Sequence, residues 1–420
     1  MRDARIRSVT GRMVWDSRGR PTVEAEVVLD SGTIGRAIAP SGASTGSGEA
    51  LELRDGGRRL RGHGVDAAVA NVNGELHAAL VGLAIADQAA IDRAMIERDG
   101  TPNKARLGGN AITAVSLACL WAAANEARVP LWRHLAGTRE VALPLPEIQI
   151  FGGGAHARGS VDLQDYLVIA TGAASFAQAL EWTAEVYGAA GARMAAAGKV
   201  LGVADEGGYW PAFATNEAGI EALTRSIEDA GLQPGRDMSI ALDLAATQCF
   251  EGDRYRWRHE GRTFTREALL AEYQGWLDRY PIVSIEDPVA EDDVAGMREF
   301  TRRFGERLQI IGDDYLVTRA SLVEEAAANG ACNAVLVKPN QAGTVTETYA
   351  ALSAGKRLGY GTIVSARSGE TEDTTIAHLA VGWDAGQLKV GSFTRSERMA
   401  KWNEALRIEE ALGGAARYAG

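Results

Sequence analysis

Four short apolar runs in the second half of the chain end in charge. Residues 239–243 (SIALD) close on Asp243, 282–286 (IVSIE) on Glu286, 309–313 (QIIGD) on Asp313 and 334–338 (AVLVK) on Lys338. Three carboxylates gathered at one point repel unless a cation joins them, and hard oxygen ligands select Mg2+ over zinc or copper. A positive charge near an amine disfavours its protonated form, which suits Lys338 to work as a general base near neutral pH. A metal with a lysine base is the pattern for removing a proton α to a carboxylate and holding the resulting enolate.

Other segments carry complementary chemistry. Asp205-Glu206-Gly207-Gly208 sets a carboxylate in a tight glycine-flanked turn, a candidate general acid. Gln387-Leu388-Lys389 ends a further run with a second lysine. Arg367-Ser368-Gly369 follows the run 361–365 and offers guanidinium, hydroxyl and backbone N–H to a phosphate. His156 lies in the glycine-rich stretch 151–160, where it reads either as a structural histidine or as a loop residue of the site. Gly152-Gly153-Gly154 is not a dinucleotide signature, because no strand–GxGxxG–helix context with a later acidic partner surrounds it.

The charged ends must be positioned by repeating elements. The ends of the five runs, Ser365 included, fall 43, 27, 25 and 27 residues apart. Spacing in the twenties fits a strand, a helix and two loops, the unit of a (β/α)8 barrel, whose C-terminal rim carries active sites. The longer gap has room for a hairpin at 250–264. The first 140 residues read differently. Residues 22–30 (TVEAEVVLD) form a strand pattern, Asp30-Ser31-Gly32 a turn and 33–39 the returning strand. A loop of six small residues follows at 41–46 (SGASTG). Helical patterns then run from Val65 to about Arg128, broken at Gly100-Thr101-Pro102.

A hydrophobic share of 46% and a charged share of 24% in 420 residues describe an ordinary globular chain with room for two or three domains. The net charge of −11 argues against a nucleic-acid partner but leaves a local phosphate pocket open. Cys119, Cys249 and Cys332 form no close-spaced pair, which predicts buried free thiols in a reducing compartment. The Arg-rich start lacks an apolar targeting segment, and the longest nearly apolar stretch, 112–124, is too short to span a bilayer. A cytoplasmic protein without membrane partners is expected.

At this point the chain resembles the enolase (phosphopyruvate hydratase) family over nearly its whole length. The resemblance is carried by DSRGRPT at 16–22, PSGASTG at 40–46, EALELRD at 49–55, DEGGY at 205–209, YPIVSIEDP at 280–288, GDD at 312–314, SGETED at 368–373 and the segment 395–412. It implies an α/β fold: a TIM-type barrel of the enolase variant over 141–420, capped by an N-terminal α+β domain over 1–140. It implies that Asp243, Glu286 and Asp313 hold a first Mg2+, and that Ser44 holds a second when substrate binds. It further implies that Lys338 takes the C2 proton, Glu206 helps the C3 hydroxyl leave and Lys389 binds the substrate carboxylate. Arg367 and Ser368 match the phosphate site, His156 the histidine of a second mobile loop, and Gln164 a substrate-contacting position. A small phosphorylated or phosphonylated carboxylate as substrate and at least a homodimer follow from the same resemblance.

The chain departs from that family at several places. Ala366 stands where enolases carry histidine, Asp165 where the general acid's partner is glutamate, and Gly152 where an asparagine precedes Gly-Gly. Ala342 replaces a larger aliphatic residue, and Thr247-Gln248-Cys249-Phe250 replaces a Ser-Glu-aromatic-aromatic run. The metal and base positions match while side chains around the substrate shrink. The leading expectation is therefore a dehydratase for a bulkier relative of 2-phosphoglycerate. Enolase-like proteins of phosphinate biosynthesis, which form carboxyphosphonoenolpyruvate from 2-phosphonoformylglycerate, are the nearest chemical context. Ordinary turnover of 2-phosphoglycerate to phosphoenolpyruvate and a non-catalytic structural or surface-binding role are the alternatives.

Overall fold

The structure is a computed structural model that describes residues 4–43, 46–199 and 202–419. It opens with a three-stranded antiparallel sheet: β1 (Ile6–Trp15), β2 (Pro21–Leu29) and β3 (Ile34–Ile38). The alternation of 22–30 becomes β2, and the 33–39 run becomes β3. β1 was not legible as a strand, because its polar and apolar residues do not alternate cleanly and its last residue, Trp15, is exposed.

Helix α1 (Gly109–Ala127) covers this sheet and is buried over nearly its whole length. β3 lies close against it. A Cβ at Gly35 would collide with the Ala118 carbonyl and the Ala122 amide nitrogen. The expected break at Gly100 is present, since Gly100 caps the helix Gln88–Asp99 in the left-handed conformation.

The second unit is a closed eight-stranded barrel. Its strands are β4 (Leu145–Gly152), β5 (Asp165–Ile169), β6 (Ser239–Asp243), β7 (Ile282–Glu286), β8 (Gln309–Gly312), β9 (Ala334–Val337), β10 (Gly361–Ser365) and β11 (Gln387–Ser392). Neighbours are parallel except β5, which runs antiparallel to both β4 and β6. After β5 come α2 (Phe176–Ala196) and α3 (Asn216–Asp229) in succession. Ser175 and Thr215 cap them by accepting the N–H groups of Gln178 and Ala218.

The five runs read from sequence are all barrel strands. Asp313 and Lys338, however, fall one residue past β8 and β9 rather than on them. The expected hairpin at 250–264 is a small three-stranded sheet, Phe250–Glu251, Arg254–Trp257 and Arg262–Phe264. No described helix is long and apolar enough to cross a membrane.

Candidate active site

β6 and β7 bring Asp243 and Glu286 opposite each other in register. The Lys389 ammonium, from β11, lies 3.0 Å from Asp243 Oδ2, 2.7 Å from Glu286 Oε2 and 3.7 Å from Asp165 Oδ2. The Lys338 ammonium donates to Asp313 Oδ2 at 2.5 Å. The rim therefore gathers the three predicted carboxylates and both predicted lysines, all buried.

Burial, followed by the neighbouring Asp243 charge, pushes Glu286 well above the usual carboxylate range. Burial also opposes charge on Asp313, but Lys338 and Arg367 outweigh it and hold this carboxyl low. Burial works against the charged form of Lys389, yet Asp243 and Glu286 raise it well above an ordinary lysine. The same balance, with Asp313 as partner, raises Lys338.

These oxygens fit a hard divalent cation. The donor set is all carboxylate, and each of the three now faces a lysine ammonium. Two other sets draw closer together, with ligand atoms within 4.8 Å of one another: His156, Asp165 and Glu206, and Asp287, Asp313 and Asp314. Asp287 serves its neighbours by accepting the backbone N–H groups of Asp313 and Asp314. The predicted metal position Ser44 lies outside the described residues.

A small polar cleft opens onto this rim, lined by His156, Gln164, Asp165, Glu206, Lys338, Ala366, Arg367, Ser368 and Lys389 among others. His156 Nε2 lies 3.9 Å from Asp165 Oδ1 and 3.8 Å from Glu206 Oε1. Burial raises Asp165 to about 6, whereas the nearby His156 and Arg398 overcome burial at Glu206 and lower it. The pair is thus split, with the proton held more tightly on Asp165. Gln164 donates to Asp243 Oδ2 at 3.1 Å and accepts from Gln248 Nε2 at 2.8 Å. Ala366 is buried at the cleft wall with its N–H on the Lys389 carbonyl.

Several residues of the site were missed from sequence. Glu49 accepts from Arg367 Nη1 at 2.8 Å and from Gln341 Nε2 at 3.3 Å, while Gln341 also donates to Asp313 Oδ1 at 2.8 Å. This chain joins the predicted phosphate arginine to a predicted metal ligand. Glu49 opens the EALELRD segment and Gln341 sits three residues past the lysine, so spacing alone gave no sign that they meet. Arg398, wholly buried, donates to the carbonyls of Arg367 and Ser368 at 2.6 Å each and so fixes that segment. Ser41 and Gly369 exchange two backbone hydrogen bonds, fastening the cap's loop to the same place.

Residues 6–135 match the family model described as "Enolase, N-terminal domain", and residues 140–420 match "Enolase, C-terminal TIM barrel domain". The chain is 50% identical over 421 residues to the protein named Enolase 1 of Desulfitobacterium hafniense (strain Y51). That alignment covers 100% of this chain and 96% of the relative.

Proposed function

We propose a substrate class and a division of labour from one premise: this chain belongs to the enolase family and is a carbon–oxygen lyase of the hydro-lyase type. The family is Mg2+-dependent and acts on a small phosphorylated carboxylate.

The reaction is removal of the C2 proton from a 2-phosphoglycerate-like acid, then loss of the C3 hydroxyl as water. Asp243, Glu286 and Asp313 would hold Mg2+. When bound, the ion supplies positive charge that stabilises the enolate oxygens. Lys338 takes the C2 proton; it becomes a base once Asp313 no longer holds its ammonium. Lys389 releases Asp243 and Glu286 and turns to the substrate carboxylate. Arg367 and Ser368 bind the phosphorus group, with Glu49 keeping the guanidinium in place. Glu206 and Asp165, whose acidities are split beside His156, deliver a proton to the departing hydroxyl. Ser44 would hold a second ion once substrate binds, and a homodimer, testable by solution mass, belongs to the same reading.

The observation that carries the finer assignment is Ala366. It lines the cleft next to Arg367, where its methyl would take up less space beside the phosphorus than the histidine of enolases. A phosphonoformyl group, with its added carboxylate, uses that room. The preferred substrate is therefore 2-phosphonoformylglycerate, giving carboxyphosphonoenolpyruvate. Identity of 50% to a protein named Enolase 1 supports 2-phosphoglycerate itself as the second reading. The test is kcat/KM for both acids in the native protein and in Ala366→His. The expected result is a native preference for the larger acid. The histidine variant should recover about 10- to 150-fold on 2-phosphoglycerate, the worth of one hydrogen bond to a charged group. Efficient native use of 2-phosphoglycerate with none of the larger acid would establish the second reading.

A further inference from the structure

We propose that Gln149 is the positioning residue of the acid pair, holding Asp165 and the Glu206 turn at a fixed separation through one side-chain amide. The inference rests on the reading of Glu206 and Asp165 as the groups that act on the leaving hydroxyl.

Gln149 stands on β4 and is completely buried. Its Oε1 accepts the Gly208 backbone N–H at 2.9 Å, and its Nε2 donates to Asp165 Oδ1. The amide cannot be turned round. A backbone N–H can only donate, so Gly208 must face the amide oxygen, and the NH2 is thereby aimed at Asp165. Gly208 lies two residues from Glu206 in a turn closed by hydrogen bonds from Gly207 N to the Ala204 carbonyl and from Ala204 N to the Gly208 carbonyl. One amide therefore ties both carboxylate-bearing segments to the barrel.

Two glycines make the space for it. A Cβ at Gly208 would collide with Gln149 Oε1. A Cβ at Gly152 would stand 3.0 Å from Gln149 Nε2, 3.1 Å from its Cδ and 2.8 Å from the Ala204 Cβ. Neither glycine is required by a positive φ; at Gly208 the Gln149 amide stands against an added side chain, and at Gly152 the Ala204 methyl does so first, with the amide close behind it. Gly152, Gln149 and Asp165 therefore form one fitted unit, and the short reach of aspartate is met by the long reach of glutamine.

The length match supplies the test, run on whichever of the two acids the native protein turns over faster. Gln149→Met keeps the volume and removes both hydrogen bonds. It should slow water loss about 10- to 100-fold, while C2 proton exchange with deuterated solvent stays within about threefold, because Lys338 is untouched. Gln149→Asn and Asp165→Glu each shift one methylene and should each slow water loss. Gln149→Asn with Asp165→Glu restores the total length and should exceed the product of the single effects at least about fivefold. This pair carries the test alone if the Met variant does not fold. Additive losses in the double variant, or equal loss of exchange and water loss in Gln149→Met, would overturn the proposal. Glu206→Gln separates it from its premise. Unchanged water loss there removes the acid-pair reading itself, whereas impaired water loss there with an unaffected Gln149 series removes this inference alone.

Discussion

Glu147 is buried on β4, in register with Lys389 on β11, and its Oε2 has no hydrogen-bond partner among the described residues. Burial raises this carboxyl from 4.5 to about 7, with Lys389 opposing and Asp243 and Asp165 adding to the rise. Its folded-state value lies above the unfolded one, so the folded protein keeps the proton longer. Its contribution to stability is full below about pH 4.5 and is lost as the pH rises through about 7. In metal-free protein this loss should amount to roughly 3 kcal/mol, and Glu147→Gln should remove it. Denaturant unfolding of both proteins between pH 4.5 and 7.5 checks this, and parallel pH profiles would count against it. Lys338 is the opposite case, a buried charge whose partner Asp313 explains it and whose removal should be chemical rather than structural. Lys338→Ala should slow C2 proton exchange by about 10²- to 10⁴-fold, the usual share of a general base. Unchanged exchange in deuterated solvent would remove Lys338 from that role. The two residues differ in legibility for the same reason. Lys338 follows a clean apolar run, whereas Glu147 and Gln149 interrupt one, and an isolated polar residue does not announce that it faces a buried lysine or amide.

At the scale of elements, the sequence was readable where one periodicity governed both local structure and burial. β6, β7 and β10 have the limits their apolar runs suggested, because parallel barrel strands are covered on both faces and read as unbroken hydrophobic stretches. β4 and β5 were not read as strands. β4 spends inward positions on Glu147 and Gln149, and β5 begins with Asp165, so the residues that make the site disguise the strands that carry it. Glycines show the same dependence on context. Gly35 and Gly188 look alike in sequence, yet β3 presses Gly35 onto the α1 backbone while Gly188, exposed on α2, has nothing within 4 Å of a built Cβ. Gly35→Ala should destabilise the protein by about 1–3 kcal/mol or more, since the clash is with backbone rather than a movable side chain. Gly188→Ala should stabilise by about 0.5–1 kcal/mol, by restoring helix propensity at an open position. Denaturant midpoints measure both, and equal signs would refute the packing described for one of them.

Over the whole molecule, the charge distribution explains why a chain of net charge −11 can still bind an anionic substrate. Lys338, Lys389, Arg367 and Arg398 are gathered at one end of the barrel, and each is buried against carboxylates or carbonyls. That end was legible from sequence because three carboxylates and a lysine close successive apolar runs. The bridging by Glu49, Gln341 and Gln149 was not, because it depends on side chains meeting across separate elements. The same concentration of acid predicts a coupling between ion binding and folding. Asp243, Glu286 and Asp313 are separated by tens of residues in the unfolded chain and converge only in the barrel, so a divalent ion should bind the folded form alone. Free Mg2+ at 100 times its Kd then adds about 2.7 kcal/mol. Spread over the unfolding entropy of a chain this long, that is a rise of about 3 °C in Tm. Chelation should reverse the rise and abolish turnover together. Asp243→Asn and Glu286→Gln should abolish the Mg2+-dependent rise while leaving the metal-free Tm unchanged or higher, because each removes a carboxylate from a crowded buried set. Scanning calorimetry with and without Mg2+ decides the matter: a Tm rise that survives both substitutions would place the ion elsewhere on the protein.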